Sequence, residues 1–189
     1  MGFTRGELES YAGDTVADLV GPDLRLLFVG INPSLWTAAT QTHFAYPGNR
    51  FYPALQVAGI IERPIQRGVE MSDVDREYFL GRGLGITNVA QRATAKAAEL
   101  SAQELSDGGA VLREFVRSSK PVVVAIAGIT AYRTAFGIPK ASMGEQPEGF
   151  EGARLWILPN PSGLNAHETT ESLGAAYRAP AIAAGVVGV

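Results

Sequence analysis

The sequence predicts an α/β chain, a three-layer α/β/α domain with a short, mainly parallel central sheet, and two observations carry that expectation. Apolar runs of strand length, each closed by Gly or Pro, alternate along the chain with stretches of helical periodicity. The runs are apolar at consecutive positions, so each strand must be buried on both faces, as happens in parallel sheets covered by helices. The 189 residues suit a single domain spanning 1–189, without internal repeats or a linker.

The elements follow in order. Residues 4–20 place Leu8, Tyr11, Ala12, Val16 and Leu19 at three- to four-residue spacing and read as a helix. The run L-R-L-L-F-V (24–29), closed by Gly30, reads as a strand. Residues 49–58 carry Phe51, Ala54, Leu55 and Ala58 on one helical face, and 72–80 form a short helix. L-G-I-T-N (84–88) is the next strand. Ser101 opens a longer helix with the capping box S-A-Q-E, in which Ser101 and Glu104 satisfy each other's free amides. A strand at 121–127 ends at Gly128, a helix covers 130–136, and L-W-I-L (155–158) is stopped by Pro159. The last helix covers 168–184, with Pro180 expected to kink or end it.

Composition narrows the function. With 46% hydrophobic and 19% charged residues, the chain has enough apolar surface to offset the entropy of ordering it. Gly 22 and Pro 11 make about one residue in six, above average usage, and point to sharply turning loops. The absence of cysteine excludes disulfides, thiolate nucleophiles and Cys-based metal sites. His43 and His167 are the two histidines, which leaves little else to hold zinc, so no metal is expected. The N-terminal residues lack an apolar signal region and no apolar run reaches about 18 residues, so a cytoplasmic protein without a membrane partner is expected. A net charge of -3 argues against gripping a polyanion over the whole surface, while leaving room for a small basic face.

Ligands of open α/β sheets bind beyond the carboxyl ends of the strands. Three strand ends here lead into unusual loops: G-I-N-P-S-L-W, N-V-A-Q-R-A-T and N-P-S-G-L-N. Two of them present Asn-Pro-Ser at a strand terminus. Proline restricts the preceding residue to extended geometry, which would aim Asn32 and Asn160 into the crevice; Asn-Pro is also an ordinary turn former. Neither a nucleotide-phosphate loop nor a G-x-S-x-G elbow is present. A hydrolase built on Ser162 and His167 lacks an acid to orient the histidine.

These loops, together with H-F-A-Y-P-G-N-R-F-Y (43–52), G-I-T-N-V-A-Q-R-A-T (85–94), S-A-Q-E-L-S-D-G-G (101–109) and L-P-N-P-S-G-L (158–164), resemble the mismatch-specific uracil-DNA glycosylase and thymine-DNA glycosylase family. The motifs stand in family order across nearly the whole chain. The resemblance implies the uracil-DNA glycosylase fold and a DNA-repair enzyme, without a cofactor, acting on duplex DNA that carries a mispaired or damaged base. It makes Asn32 the catalytic residue that positions a water at the sugar C1′. Ile31, Pro33 and Ser34 would line the base pocket with His43, Asn88 and Asn160, and Phe44 would stack on the flipped base. By the same resemblance Ser162, Gly163 and Leu164 would form the loop that enters the duplex, with Asn165 next to it; Arg50 and Arg92 are favoured as phosphate contacts because they flank motif loops, and Arg63, Arg67, Lys96, Lys140 and Arg154 are further candidate cations.

The physics agrees with that assignment. Extruding a base costs a few kcal/mol, least for a mispaired one, and an apolar wedge such as Leu164 helps to unstack it. Asn32 is neutral, which suits slow chemistry on a good leaving group. No lysine matches a catalytic position, so a monofunctional enzyme leaving an abasic site is expected, for which a monomer suffices. Three departures from the family stand out. Ser34 replaces the commoner Gly and could narrow the pocket or bring a hydroxyl to the base, and Asn88 stands where some bacterial members have Lys. Asn165 and Ala166 replace an Arg-containing pair, which would weaken reading of the opposite guanine. The alternative from another class is a nucleic-acid-binding module of the same fold without chemistry.

Overall fold

Four of the apolar runs become neighbouring parallel strands. In the computed structural model, which describes residues 2–188, these are β1 (Leu26–Gly30), β2 (Leu84–Asn88), β3 (Val123–Ala127) and β5 (Ala153–Leu158). β4 (Gly144–Phe150) adds an antiparallel edge beside β5, and the sheet order is β2-β1-β3-β5-β4. Successive residues of β1 enter opposite cores. Leu26 and Phe28 pack with α3 (Phe51–Val57), α4 (Asp73–Gly81) and α7 (Thr170–Ala183), whereas Leu27 and Val29 pack beneath α5 (Ala102–Ser119) and α6 (Ile129–Phe136). That two-sided burial is why the strands read as unbroken apolar runs. Phe28 meets Phe51 edge-on at 5.1 Å, and truncating such a ring to Ala costs about 3–5 kcal/mol.

The capping box at Ser101 forms as the sequence implies. Ser101 Oγ accepts from Glu104 N at 3.1 Å, and the Glu104 carboxylate accepts from Ser101 N at 2.9 Å. Elsewhere tertiary contacts redraw the elements. The helix expected over 4–20 is limited to α1 (Arg5–Glu9), and Gly13 then turns the chain with φ +93°. Val16 and Leu19 are still buried, but as part of an extended segment in which Leu19 exchanges backbone hydrogen bonds with Ile86 of β2. A short helix α2 (Leu35–Thr40) follows β1, capped by Ser34. α7 runs three residues past Pro180 instead of ending there. Among the described residues, no helix is long and apolar enough to cross a membrane.

β1 lies between β2 and β3, so the chain steps from β1 to β2 on one side and then crosses back to β3 on the other. The crevice at its carboxyl end is the place where such sheets bind ligands.

Candidate active site

The loops leaving β1, β2 and β5 enclose a cavity of ≈ 390 Å³, within the range of small-molecule sites. Asn32, Asn49, Asn88 and Asn160 all line it, Lys96 is its one Lys or Arg side chain, and no Asp or Glu takes part among the described residues. The first two loops are zipped together. Ala90 N donates to the Ile31 carbonyl at 2.9 Å and Thr94 N to the Pro33 carbonyl at 3.2 Å. Pro33 is buried, and Ile31 and Ser34 line the cavity on the same stretch. The Ser34 hydroxyl accepts from Thr37 N at 3.1 Å, so its oxygen caps α2 rather than standing free for a ligand.

The Asn32 amide has one possible orientation. Its Nδ2 lies 2.7 Å from Thr94 Oγ1, 2.8 Å from the Arg92 carbonyl and 3.1 Å from the Pro33 carbonyl. Carbonyl oxygens only accept, so the NH₂ group must face them. Oδ1 meets no protein donor among the described residues and is left for a water or a substrate hydrogen. Thr94 was the last residue of its sequence motif, but its role depends on a contact that only the folded loops create.

A second amide is oriented through a histidine. His43 is 4% exposed, and burial lowers its pKa, with Arg76 acting in the same direction and the Ala17 carbonyl and Asp18 opposing. Nε2 lies 3.0 Å from the Ala17 carbonyl and must carry the hydrogen. The bare Nδ1 then accepts from Asn88 Nδ2 at 3.4 Å. This places Asn88 Oδ1 over Gly30, where a Cβ would come within 2.5 Å of it. Both ring nitrogens of His43 are thus engaged by protein, so the ring lines the cavity and orients Asn88 without a nitrogen left free for a ligand.

Phe44 stacks on Phe51 with centroids 4.0 Å apart and planes 22° from parallel. One face is covered and the ring lines the cavity. Its φ of 56° lies in the left-handed region, a strain of about 1–3 kcal/mol for a bulky residue. Such strain is held only where surrounding contacts enforce it.

The loop after β5 folds on its own amides. Asn160 Oδ1 accepts from Ser162 N at 2.9 Å, and Asn165 Nδ2 donates to the Asn160 carbonyl at 3.1 Å. Likewise Asn49 Oδ1 accepts from Phe51 N at 2.8 Å. In both Asn160 and Asn49 the oxygen is committed to backbone, which leaves Nδ2 as the free end of the amide. Gly163 passes so close to Gly48 that a Cβ would strike the Gly48 carbonyl. At the tip Leu164 is 84% exposed, the most exposed of the large apolar side chains among the described residues. The Ser162 hydroxyl accepts from Leu164 N at 3.3 Å, and no hydrogen bond joins it to His167, so the serine-hydrolase arrangement does not form.

The pocket is thus walled by four oriented amides and an aromatic ring, with Lys96 at its edge and an exposed leucine above it. The family model described as the uracil DNA glycosylase superfamily matches residues 17–183. The chain belongs to that superfamily. Among solved structures it is similar to the solution NMR structure of a candidate uracil DNA glycosylase from Methanosarcina acetivorans, with a TM-score of 0.58 and 20% identity, over 87% of this chain and 96% of that one. At that identity the likeness is one of fold, and the fold is the one expected from the motifs.

A member of the uracil DNA glycosylase superfamily acts on DNA, which gives its cations a meaning. Arg92 turns its guanidinium to Glu104, with Nε 2.7 Å from Oε1, and its carbonyl, not its charge, reaches the pocket by accepting from Asn32. Glu104 is correspondingly pulled down to about 2, first by the Arg92 guanidinium and then by the Ser101 amide. Arg50 points inward to the loop after β5. Both residues favoured as phosphate contacts are therefore engaged within the protein. Lys96, exposed at the cavity, has no carboxylate partner among the described residues.

Proposed function

We propose that this DNA glycosylase excises uracil, together with thymine or damaged pyrimidines, from mismatches with guanine by hydrolysis and leaves an abasic site. Leu164 enters the duplex as an apolar wedge, and the extruded base stacks on Phe44. Stacking of this kind is worth about 1–3 kcal/mol per base. The C1′–N bond breaks with its electron pair leaving on the base, while the oxygen of a water joins C1′ and its proton passes to solvent. Free Nδ2 groups of Asn49 and Asn160 are donors suited to the departing base anion, an arrangement that helps because charge develops there in the transition state. Asn32 Oδ1 holds the water.

The observation that carries the reading is the Asn32 amide, whose NH₂ is held by Thr94, Arg92 and Pro33 so that only the oxygen is free. A neutral amide cannot take the water's proton as a strong base would, and among the described residues no carboxylate lines the pocket to do so. Catalysis then rests on placement and on stabilising the anion. The test is a panel of U, T, hypoxanthine and an etheno-adduct opposite G, with U opposite A and in single strands. The reading expects release at G·U faster than at A·U, and strand breaks only after alkali. Breaks without alkali would contradict the monofunctional assignment, and tight binding without base release would instead mark a binding module.

A further inference from the structure

We infer that Arg50 is a positioning residue that latches the wedge loop to the base platform, and that it acts on base extrusion rather than by contacting phosphate. The inference rests on the wedge role proposed for Leu164. Arg50 NH1 donates to the carbonyls of Asn165 and Glu168, each at 2.9 Å, and NH2 to the Gly163 carbonyl at 3.4 Å. Its backbone N also donates to the Pro161 carbonyl at 2.9 Å. One residue thus holds four carbonyls spread over residues 161–168, on both sides of Leu164.

The latch matters because of what else its segment carries. Phe44 and Phe51, stacked on each other, flank Arg50 in the same stretch of chain, and Gly163 sits against the Gly48 carbonyl. The loop that fills the gap in the duplex and the floor that receives the base are therefore braced against each other. A leucine that is 84% exposed gains no fixed position from packing, so its placement comes from the backbone below it. A guanidinium is suited to this work, since its planar fork offers five donors in fixed directions, whereas a lysine is a point charge on a flexible stem.

That difference supplies the test. Single-turnover excision from a G·U duplex is measured for the wild type, Arg50→Lys, Arg50→Ala, Leu164→Ala and the Arg50→Ala/Leu164→Ala pair, with amide hydrogen exchange of each protein without DNA. A misplaced group can cost up to about a hundredfold, and the latch predicts a loss of about tenfold or more for both Arg50 variants. It predicts less than about a twofold further loss from Arg50→Ala when Leu164 is already Ala, because the two act as one unit. Exchange should rise at 162–168 and stay unchanged in α3 and the sheet, which separates a loosened loop from a failed fold. Wild-type activity in Arg50→Lys, as a phosphate contact would give, or an equal loss in both Leu164 backgrounds, would overturn the inference. If the wild type releases no base, the proposed function fails, and the exchange at 162–168 still decides whether Arg50 holds the loop.

Discussion

The Thr94 hydroxyl accepts from the Asn32 amide at 2.7 Å and donates its own hydrogen to the Lys96 carbonyl at 2.9 Å. Because that donation is fixed, Thr94 can only accept from Asn32, and the amide cannot turn over. Replacing Thr94 by Val removes this acceptor while two carbonyls still hold Nδ2. A partial loss is therefore expected, about tenfold in single-turnover excision, with a stability cost near 1 kcal/mol for the lost hydrogen bond. Thr94→Ser should keep most of the activity. Equal rates for Thr94→Val and the wild type would show that Asn32 needs no such hold.

Gly30 ends β1 at the floor of the cavity. A Cβ there would lie 2.5 Å from Asn88 Oδ1 and 3.4 Å from Phe44 Cζ. Gly30→Ala should displace both side chains and reduce excision by at least about tenfold, at an overpacking cost of about 1–3 kcal/mol. Thermal unfolding and excision rate, measured together, separate the two effects.

His43 makes stability depend on pH. Its folded pKa is lowered, chiefly by burial and also by Arg76, against the Ala17 carbonyl and Asp18. The unfolded chain, with an ordinary histidine near 6.5, therefore binds the proton more readily than the native state. Stability is at its full value above about 6.5 and declines as pH falls from there through the lowered folded value. In urea unfolding between pH 5 and 8, His43→Gln should flatten this part of the profile. An unaltered slope in the variant would remove His43 as its source. In the native enzyme His43 becomes charged only as pH falls to its lowered folded value; it would then present Nδ1–H to Asn88, and base selectivity should change there, at the acid end of the interval.

Much of this fold was legible because the sheet is buried on both faces and its strands are therefore written as apolar runs, as at Leu26–Gly30 and Val123–Ala127. β4 was not. Its sequence, G-E-Q-P-E-G-F, lies on a sheet edge with most residues exposed and an irregular register between Gln146 and Phe150, so no core pressure shapes it. The helical spacing of Val16 and Leu19 misled because their burial serves an extended segment beside β2. At the site, the loop motifs gather around one cavity as their places at strand ends suggested. The partners of Arg50, Arg92 and His43 were not readable, since each lies across the fold from its contacts or is oriented by residues distant in sequence. The charge of -3 also takes on a narrower meaning: wedge, pocket and loop amides can hold DNA with few free cations, and the salt dependence of binding should be shallow.

In the proposed reaction the oriented Asn32 places the water that releases a mispaired base from DNA. The most direct measurement is single-turnover release of uracil from a G·U duplex at enzyme excess, followed by alkaline cleavage, for the wild type and Asn32→Ala. An alkali-dependent break is expected with the wild type and a rate lower by about a hundredfold or more in the variant, with duplex binding retained and a stability loss of about 1 kcal/mol or more from the hydrogen bonds Asn32 no longer makes. Equal cleavage by both proteins would contradict the role of Asn32, and no cleavage by the wild type would contradict the function itself.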